Sequence, residues 1–292
     1  MKRDPQAIGR LVAVSLLLLG LTLLNALSGD SDVGLNLDSP RTILILKIVQ
    51  VLSATVMFVL PAILIALLLS PQKIGYLGVT KLPKSAYFAV ALLVMVCALP
   101  LIGAMDELNK RMSLPASLSG LEHWMQSSEE KAGKIIGAML KMGSIGSLIG
   151  NLFVIAFMAA LSEELFFRGL LQNVLKEWVK NHHIAIWTAA ILFSAFHMQF
   201  YGFLPRMMMG ALLGYLYYWS GSLWIPMLAH FTNNAFSVIG AYLMQHELVS
   251  KQLDTIGTTR ADLVYILLSA VTCTGLIWLA FRMRNKPLST PS

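Results

Sequence analysis

The sequence predicts an all-α, polytopic membrane protein with about eight transmembrane helices, and three observations predict it. The 292 residues are 57% apolar and only 13% charged, where soluble domains carry ~25% charged residues. The apolar residues are gathered into runs of membrane length, and ~20 such residues span a bilayer as a helix. The net charge of +7 sits in short clusters beside those runs, which is how topology is specified and not how a nucleic-acid footprint is built. Soluble-enzyme and nucleic-acid-binding readings are thereby set aside.

Taken in order, Leu11 to Leu27 follows Lys2, Arg3 and Arg10 and reads as a retained first span, because Asn25-Ala-Leu-Ser28 is a poor cleavage site. The second span is Ile43 to Leu69, with Lys47 placed to snorkel and Pro61 to kink it. The third is Ser85 to Ile102. Residues 104–143 mix charges such as Asp106, Glu107 and Glu129 with Leu121, Trp124 and Ile135, the pattern of an interfacial amphipathic helix. The fourth span starts at Ser144 and continues to about Val179. The fifth runs from Ile184 to about His197, the sixth from Phe203 to Trp219, the seventh from Leu223 to Met244 and the eighth from Leu263 to Phe281.

The expected organisation is N-terminal spans and the amphipathic segment (1–143), a helix core carrying the polar residues (144–244), and a C-terminal span with a basic tail (245–292). Outside residues 104–143, eleven Lys and Arg fall on the side of both termini and four on the other, so both termini are expected in the cytoplasm. Gly146 with Gly150, and Gly210 with Gly214, are GxxxG pairs that predict close approach of the fourth and sixth helices to neighbours. Cys97 and Cys273 lie in apolar runs without metal-ligand or CxxC spacing and read as small core residues.

Three segments carry polar residues that hydrocarbon does not tolerate without reason. Of fifteen acidic residues only Glu163 and Glu164 lie well inside a membrane-length run, where a charge costs ~2.5 to 3.5 kcal/mol at the bilayer centre. Glu164 and Arg168 are four apart and can meet as an ion pair, which leaves Glu163 free. The fifth segment ends Phe193-Ser-Ala-Phe-His197, and the seventh holds His230-Phe-Thr-Asn-Asn234; in each, the named ends share a helix face. A lone intramembrane His or Asn reads as interhelical glue worth ~0.6 kcal/mol per hydrogen bond, but six such groups on three helices exceed that role. His123, His182, His183 and His246 read as solvated surface.

Counting ~1.5 Å per residue, His230 stands roughly 12 Å from the turn near Ser222 and Glu163 roughly 27 Å from the turn near Asn181. The two meet only if the 176–183 hairpin projects some 15 Å. That count predicts a site in the cytoplasmic half of the bilayer, open to that side, with Arg206 and residues 104–143 on the opposite surface, away from the chemistry.

In these residues the chain resembles the CAAX prenyl-protein endopeptidases and their bacterial relatives, the CAAX protease and bacteriocin-processing (Abi) family. Glu163, Glu164 and Arg168 fit the family's EExxxR motif, Phe193 and His197 its FxxxH, and His230 and Asn234 its HxxxN. The resemblance covers roughly residues 144–244 and leaves the first three spans and the eighth uncovered. It implies an intramembrane endopeptidase acting on membrane-associated protein or peptide substrates, with membrane lipid and no nucleic acid as partner, in a bacterial inner membrane.

Physical reasoning gives the same allocation. A carboxylate and an imidazole in a pocket of low dielectric, Glu163 and His197, can hold and deprotonate a water. His230 and Asn234 are donors suited to a developing oxyanion, with Glu164, Arg168 and Phe193 in support. Glu163, His197 and His230 could also hold a tetrahedral zinc with an open position. With no HExxH, and Glu164 engaged by Arg168, a glutamate-type hydrolase without metal is the expectation. The competing class is a non-proteolytic protein, an immunity scaffold or a proton-coupled transporter, against which stands the lack of polar residues on spans one to three and eight.

Overall fold

The computed structural model describes residues 36–71, 73–250 and 257–284; the expected first span, Leu11 to Leu27, lies outside them. Among the described residues the protein is all-helical, with eight principal helices. They are α1 Pro40–Leu69, α2 Ala86–Lys110, α3 Ser119–Met139, α4 Ile145–Val179, α5 His182–Phe196, α6 Phe203–Ser220, α7 Trp224–Gln245 and α8 Leu263–Met283. Four of these, α1, α2, α4 and α8, are long and apolar enough to cross a membrane, and α5 is a shorter apolar helix. Seven of the helices stand where spans two to eight were expected, and the eighth is the amphipathic α3.

The helices run up and down. At one end Lys84 Nζ donates to Met283 O at 2.8 Å and Ser222 Oγ to Lys81 O at 2.6 Å, which brings together the α1–α2 loop, the α6–α7 turn and the end of α8. At the other end Met142 N donates to Gln245 Oε1 and Lys141 Nζ reaches Asp38. Leu44, Ile48 and Leu52 of α1 and Leu267, Val271 and Trp278 of α8 are exposed, as expected of side chains that face lipid and not water. One core lies between α1, α4, α5, α6 and the start of α7, and a second between α2, α6, α7 and α8.

Two helices depart from α geometry where they meet. In α4, Leu152–Met158 and Leu165–Gln172 are π-helical, and in α1 so is Thr55–Val59. All eight residues of Leu165–Gln172 are buried, and Phe58 of the α1 π-turn packs edge-on against Phe166 at 5.5 Å. Such wide turns rise less per residue and recur at functional sites. His182 stacks on Tyr218, with ring centroids 4.1 Å apart, and His183 Nδ1 is 2.7 Å from Tyr215 Oη. The 176–183 turn therefore lies alongside the end of α6 and does not project.

The two glycine pairs differ. A Cβ on Gly210 would meet Ala190 and Phe193 at 3.2 Å, and one on Gly214 would meet Gln172 Oε1 at 2.8 Å and Ile186 Cγ2 at 2.9 Å, so α6 reaches α4 and α5 through these positions. Gly150 has open space and Gly146 only its own helix cap; the expectation of close approach fails for that pair. Accordingly Gly214→Ala should lower the unfolding free energy of the purified protein by ~1 to 3 kcal/mol through overpacking. Gly150→Ala should be neutral or raise it by up to ~1 kcal/mol through helix propensity.

Candidate active site

The site is built around Arg168, which is 1% exposed. Its Nη1 donates to Glu164 Oε1 at 2.7 Å and its Nη2 to Gly210 O at 3.0 Å, and its guanidinium lies 4.4 Å from the centre of the Phe193 ring. The i,i+4 pair read from sequence thus forms across the start of a π-turn. The backbone of Gly210 can reach the guanidinium because no side chain holds α6 away.

Glu164 Oε1 is shared. His230 Nδ1 lies 2.8 Å from it, and His230 is 3% exposed. With the carboxylate accepting at Nδ1–H, the other ring nitrogen, Nε2, turns outward. His197 is set the same way from another helix. Its Nδ1 is 2.8 Å from Phe193 O, and Met198, in the left-handed region at φ 52, ends α5 directly after it. Phe193 packs edge-on against both imidazoles, with centroids 4.9 Å from His197 and 5.8 Å from His230.

Both Nε2 atoms face Glu163. Each is 3.8 Å from Glu163 Oε2, and the Glu163 side chain is 16% exposed while that of His197 is 29% exposed. Glu163 Oε2 is buried and has no hydrogen-bond partner. A water ~2.8 Å from an imidazole nitrogen and from the carboxylate oxygen closes a triangle on that 3.8 Å side. Glu163, His197 and His230 are therefore brought together, with Glu164, Arg168 and Phe193 behind them. Asn234 stands one turn along α7, where its Nδ2 donates to Ile155 O at 3.3 Å, a carbonyl of the first π segment of α4. Among the described residues no group of three or more His, Cys, Asp and Glu is arranged to hold a metal ion.

One expectation is corrected. Arg206 does not lie away from the chemistry: it is within electrostatic reach of Glu163 and His197, as well as of Glu129 and Asp106. Gln199 holds it, accepting at its side-chain Oε1 at 2.7 Å and at its backbone O at 3.2 Å. Segment 104–143 comes with it. Asn109 bonds Phe200 O and Leu204 N, and Glu129 of α3 accepts from Tyr201 N at 3.0 Å. The loop after His197 turns back under α3, so polar groups approach the site from that side, while Lys176 to His183 lie at the other end of the bundle. An arginine inside an apolar run was the available signal. Beside the site, Phe157, Ala160, Leu161, Met227, Leu228 and Phe231 line much of an apolar groove of about 450 Å³.

Residues 145–236 match the family model for type II CAAX prenyl endopeptidase Rce1-like proteins. The site lies within this matched segment. That segment runs from the first turn of α4 into α7 and includes every one of Glu163, Glu164, Arg168, Phe193, His197, His230 and Asn234. The protein named "Uncharacterized protein YpbD" of Bacillus subtilis (strain 168) is 34% identical over 116 residues, which are 38% of this chain and 54% of that protein. The chain thus spans about half the length of that relative. No solved structure matches the chain.

Removing the cation at the base of the site should be costly. Arg168→Ala leaves Glu164 buried without its charge partner and should lower the unfolding free energy by ~3 to 5 kcal/mol. Arg168→Lys should rescue little, because two N–H groups of a planar fork are used in different directions. Unfolding of the purified variants in detergent reads both.

Proposed function

We propose that the protein is an intramembrane endopeptidase that hydrolyses a peptide bond of membrane-associated proteins or peptides, with Glu163 as the base. The observation that carries this is the division between two adjacent carboxylates. Each has one buried oxygen without a hydrogen-bond partner, but Glu164 is fixed through Oε1 by Arg168 and His230, while Glu163 Oε2 lies 3.8 Å from two imidazole nitrogens. The match of residues 145–236 to the Rce1-like endopeptidase family supports the same reading.

In this mechanism Glu163 and His197 hold a water, and Glu163 takes its proton as the oxygen attacks the scissile carbonyl. His230, protonated at Nε2 and steadied at Nδ1 by Glu164, donates to the oxyanion of the tetrahedral intermediate. Asn234 is the second donor, using the amide hydrogen not given to Ile155. Glu163 then returns the proton to the leaving nitrogen as the C–N bond breaks. Glu164 and Arg168 position His230 and do not touch the substrate. The apolar groove takes the lipid-soluble part of the substrate. The end of the bundle that gathers Lys81, Lys84, Lys176, Lys180 and Arg284 faces the cytoplasm of a bacterial inner membrane, by the positive-inside rule.

Glu163→Gln preserves shape and removes the base. It should abolish cleavage, by ~10² to 10⁴ in rate, while the protein stays folded in the membrane. Quantitative membrane proteomics of cells carrying wild type or Glu163→Gln should show substrates that accumulate uncut only in the variant, and those substrates should be cut by the purified wild type in liposomes. Full cleavage by Glu163→Gln would overturn the assignment of the base.

A further inference from the structure

The end of the bundle away from α3 holds a second cavity, of about 580 Å³, bounded by the α1–α2 loop, the last turns of α4 and α6 and the start of α5. It lies apart from the Glu163 centre. Lys81, Lys176 and Lys180 line it, and Glu177 is the one acidic residue on its wall. None of these three lysines has an ion-pair partner among the described residues. They bring an uncompensated positive charge to a concave surface, where field lines focus on an entering anion.

Beneath the lysines the wall changes character. Tyr217 is 8% exposed and its hydroxyl accepts from Asn173 Nδ2 at 2.9 Å. The hydroxyl also donates to Leu77 O at 3.4 Å, and Gln172, 5% exposed, donates through Nε2 to Gly214 O at 3.2 Å with its Oε1 packed against Gly214. The floor is thus polar and held rigid by its own bonds, and the cationic rim above it fits an anionic group.

The level of the cavity says where such a group is found. Apolar α1 ends at Leu69 and α4 at Val179, and at this end Trp178 and Trp224 are 46% and 45% exposed. Exposed tryptophans beside lysines at the ends of spans mark the headgroup layer of a membrane, and basic pockets between helices there suit anionic lipid headgroups.

We propose that this cavity binds a phosphate ester, presented either as an anionic phospholipid headgroup or as a soluble phosphate of the same chemistry. The site does not depend on the hydrolase reading. Its test uses the full chain in neutral detergent, with native mass spectrometry against phosphatidylglycerol and phosphatidylcholine and calorimetry against glycerol phosphate and inorganic phosphate. One phosphatidylglycerol should be retained in preference to phosphatidylcholine; binding of the soluble phosphates as well would assign the site to the phosphate itself, and their failure to bind would assign it to the lipid. Lys81→Gln/Lys176→Gln/Lys180→Gln should weaken retention on the order of a hundredfold, about fivefold per lysine, and the corresponding triple Arg variant should keep it. Should the Gln triple fail to fold, Lys180→Gln alone should show the fivefold loss. Lys110→Gln/Lys131→Gln/Lys134→Gln removes equal charge at the other end and should change nothing. Equal retention by wild type and the Lys81/Lys176/Lys180 variant, equal loss in the far-end variant, or no preference for an anionic ligand would overturn the proposal.

Discussion

A guanidinium with almost no access to solvent must be matched on every side, and Arg168 is matched by a carboxylate, a carbonyl and an aromatic face. The carboxylate is the decisive partner. Because Glu164 is held by Arg168, it can in turn hold His230 by Nδ1, and the ring is then obliged to present Nε2 to Glu163. Isolated, each of these groups would carry a desolvation penalty of several kcal/mol or neutralise. Linked in one network, they orient the imidazole at the site and leave a single carboxylate without a structural task.

The fold serves that network in its local details. Gly210 lets the α6 backbone supply the carbonyl that the second guanidinium nitrogen needs, and Phe193 supplies the face of the cation and the edge contacts to both imidazoles. The π-turn Leu165–Gln172 carries Arg168 and buries all eight of its side chains, so the register of α4 at this point is set by packing from several helices. In the first π segment, Ile155 O accepts from Asn234, which stands one turn from His230. Departures from α geometry are thus concentrated where α4 carries or meets the residues of the candidate site.

Much of this was legible in the chain. Long apolar runs gave seven helices, six of them close to their observed bounds, because hydrophobic length dominates every other signal in such a sequence; the other, α2, continues past the expected Ile102 through Asp106 and Glu107 to Lys110. The Glu164–Arg168 pair and the shared faces of Phe193 with His197 and of His230 with Asn234 followed from four-residue spacing alone. What spacing does not give is the π turns, which depend on tertiary packing, or the stacking of His182 on Tyr218 that keeps the 176–183 turn alongside α6. Arg206 was placed by its position at the start of α6, when its burial near Glu163 depends on Gln199 and on the loop that folds back under α3. No periodicity in the sequence encodes that return. The role of Glu164 toward His230 was likewise invisible, since the two are 66 residues apart.

The central claim is that Glu164 is the structural carboxylate and Glu163 the free one, and a double-mutant cycle on unfolding tests it most directly. Unfolding free energies of the membrane-reconstituted protein would be measured for Glu164→Gln, Glu163→Gln, Arg168→Met and the two double variants containing Arg168→Met. The account predicts a coupling of ~1 to 3 kcal/mol between Glu164 and Arg168, with Glu163 and Arg168 additive within ~0.5 kcal/mol. Strong coupling of Arg168 to Glu163, with Glu164 additive, would contradict it and exchange the roles of the two carboxylates.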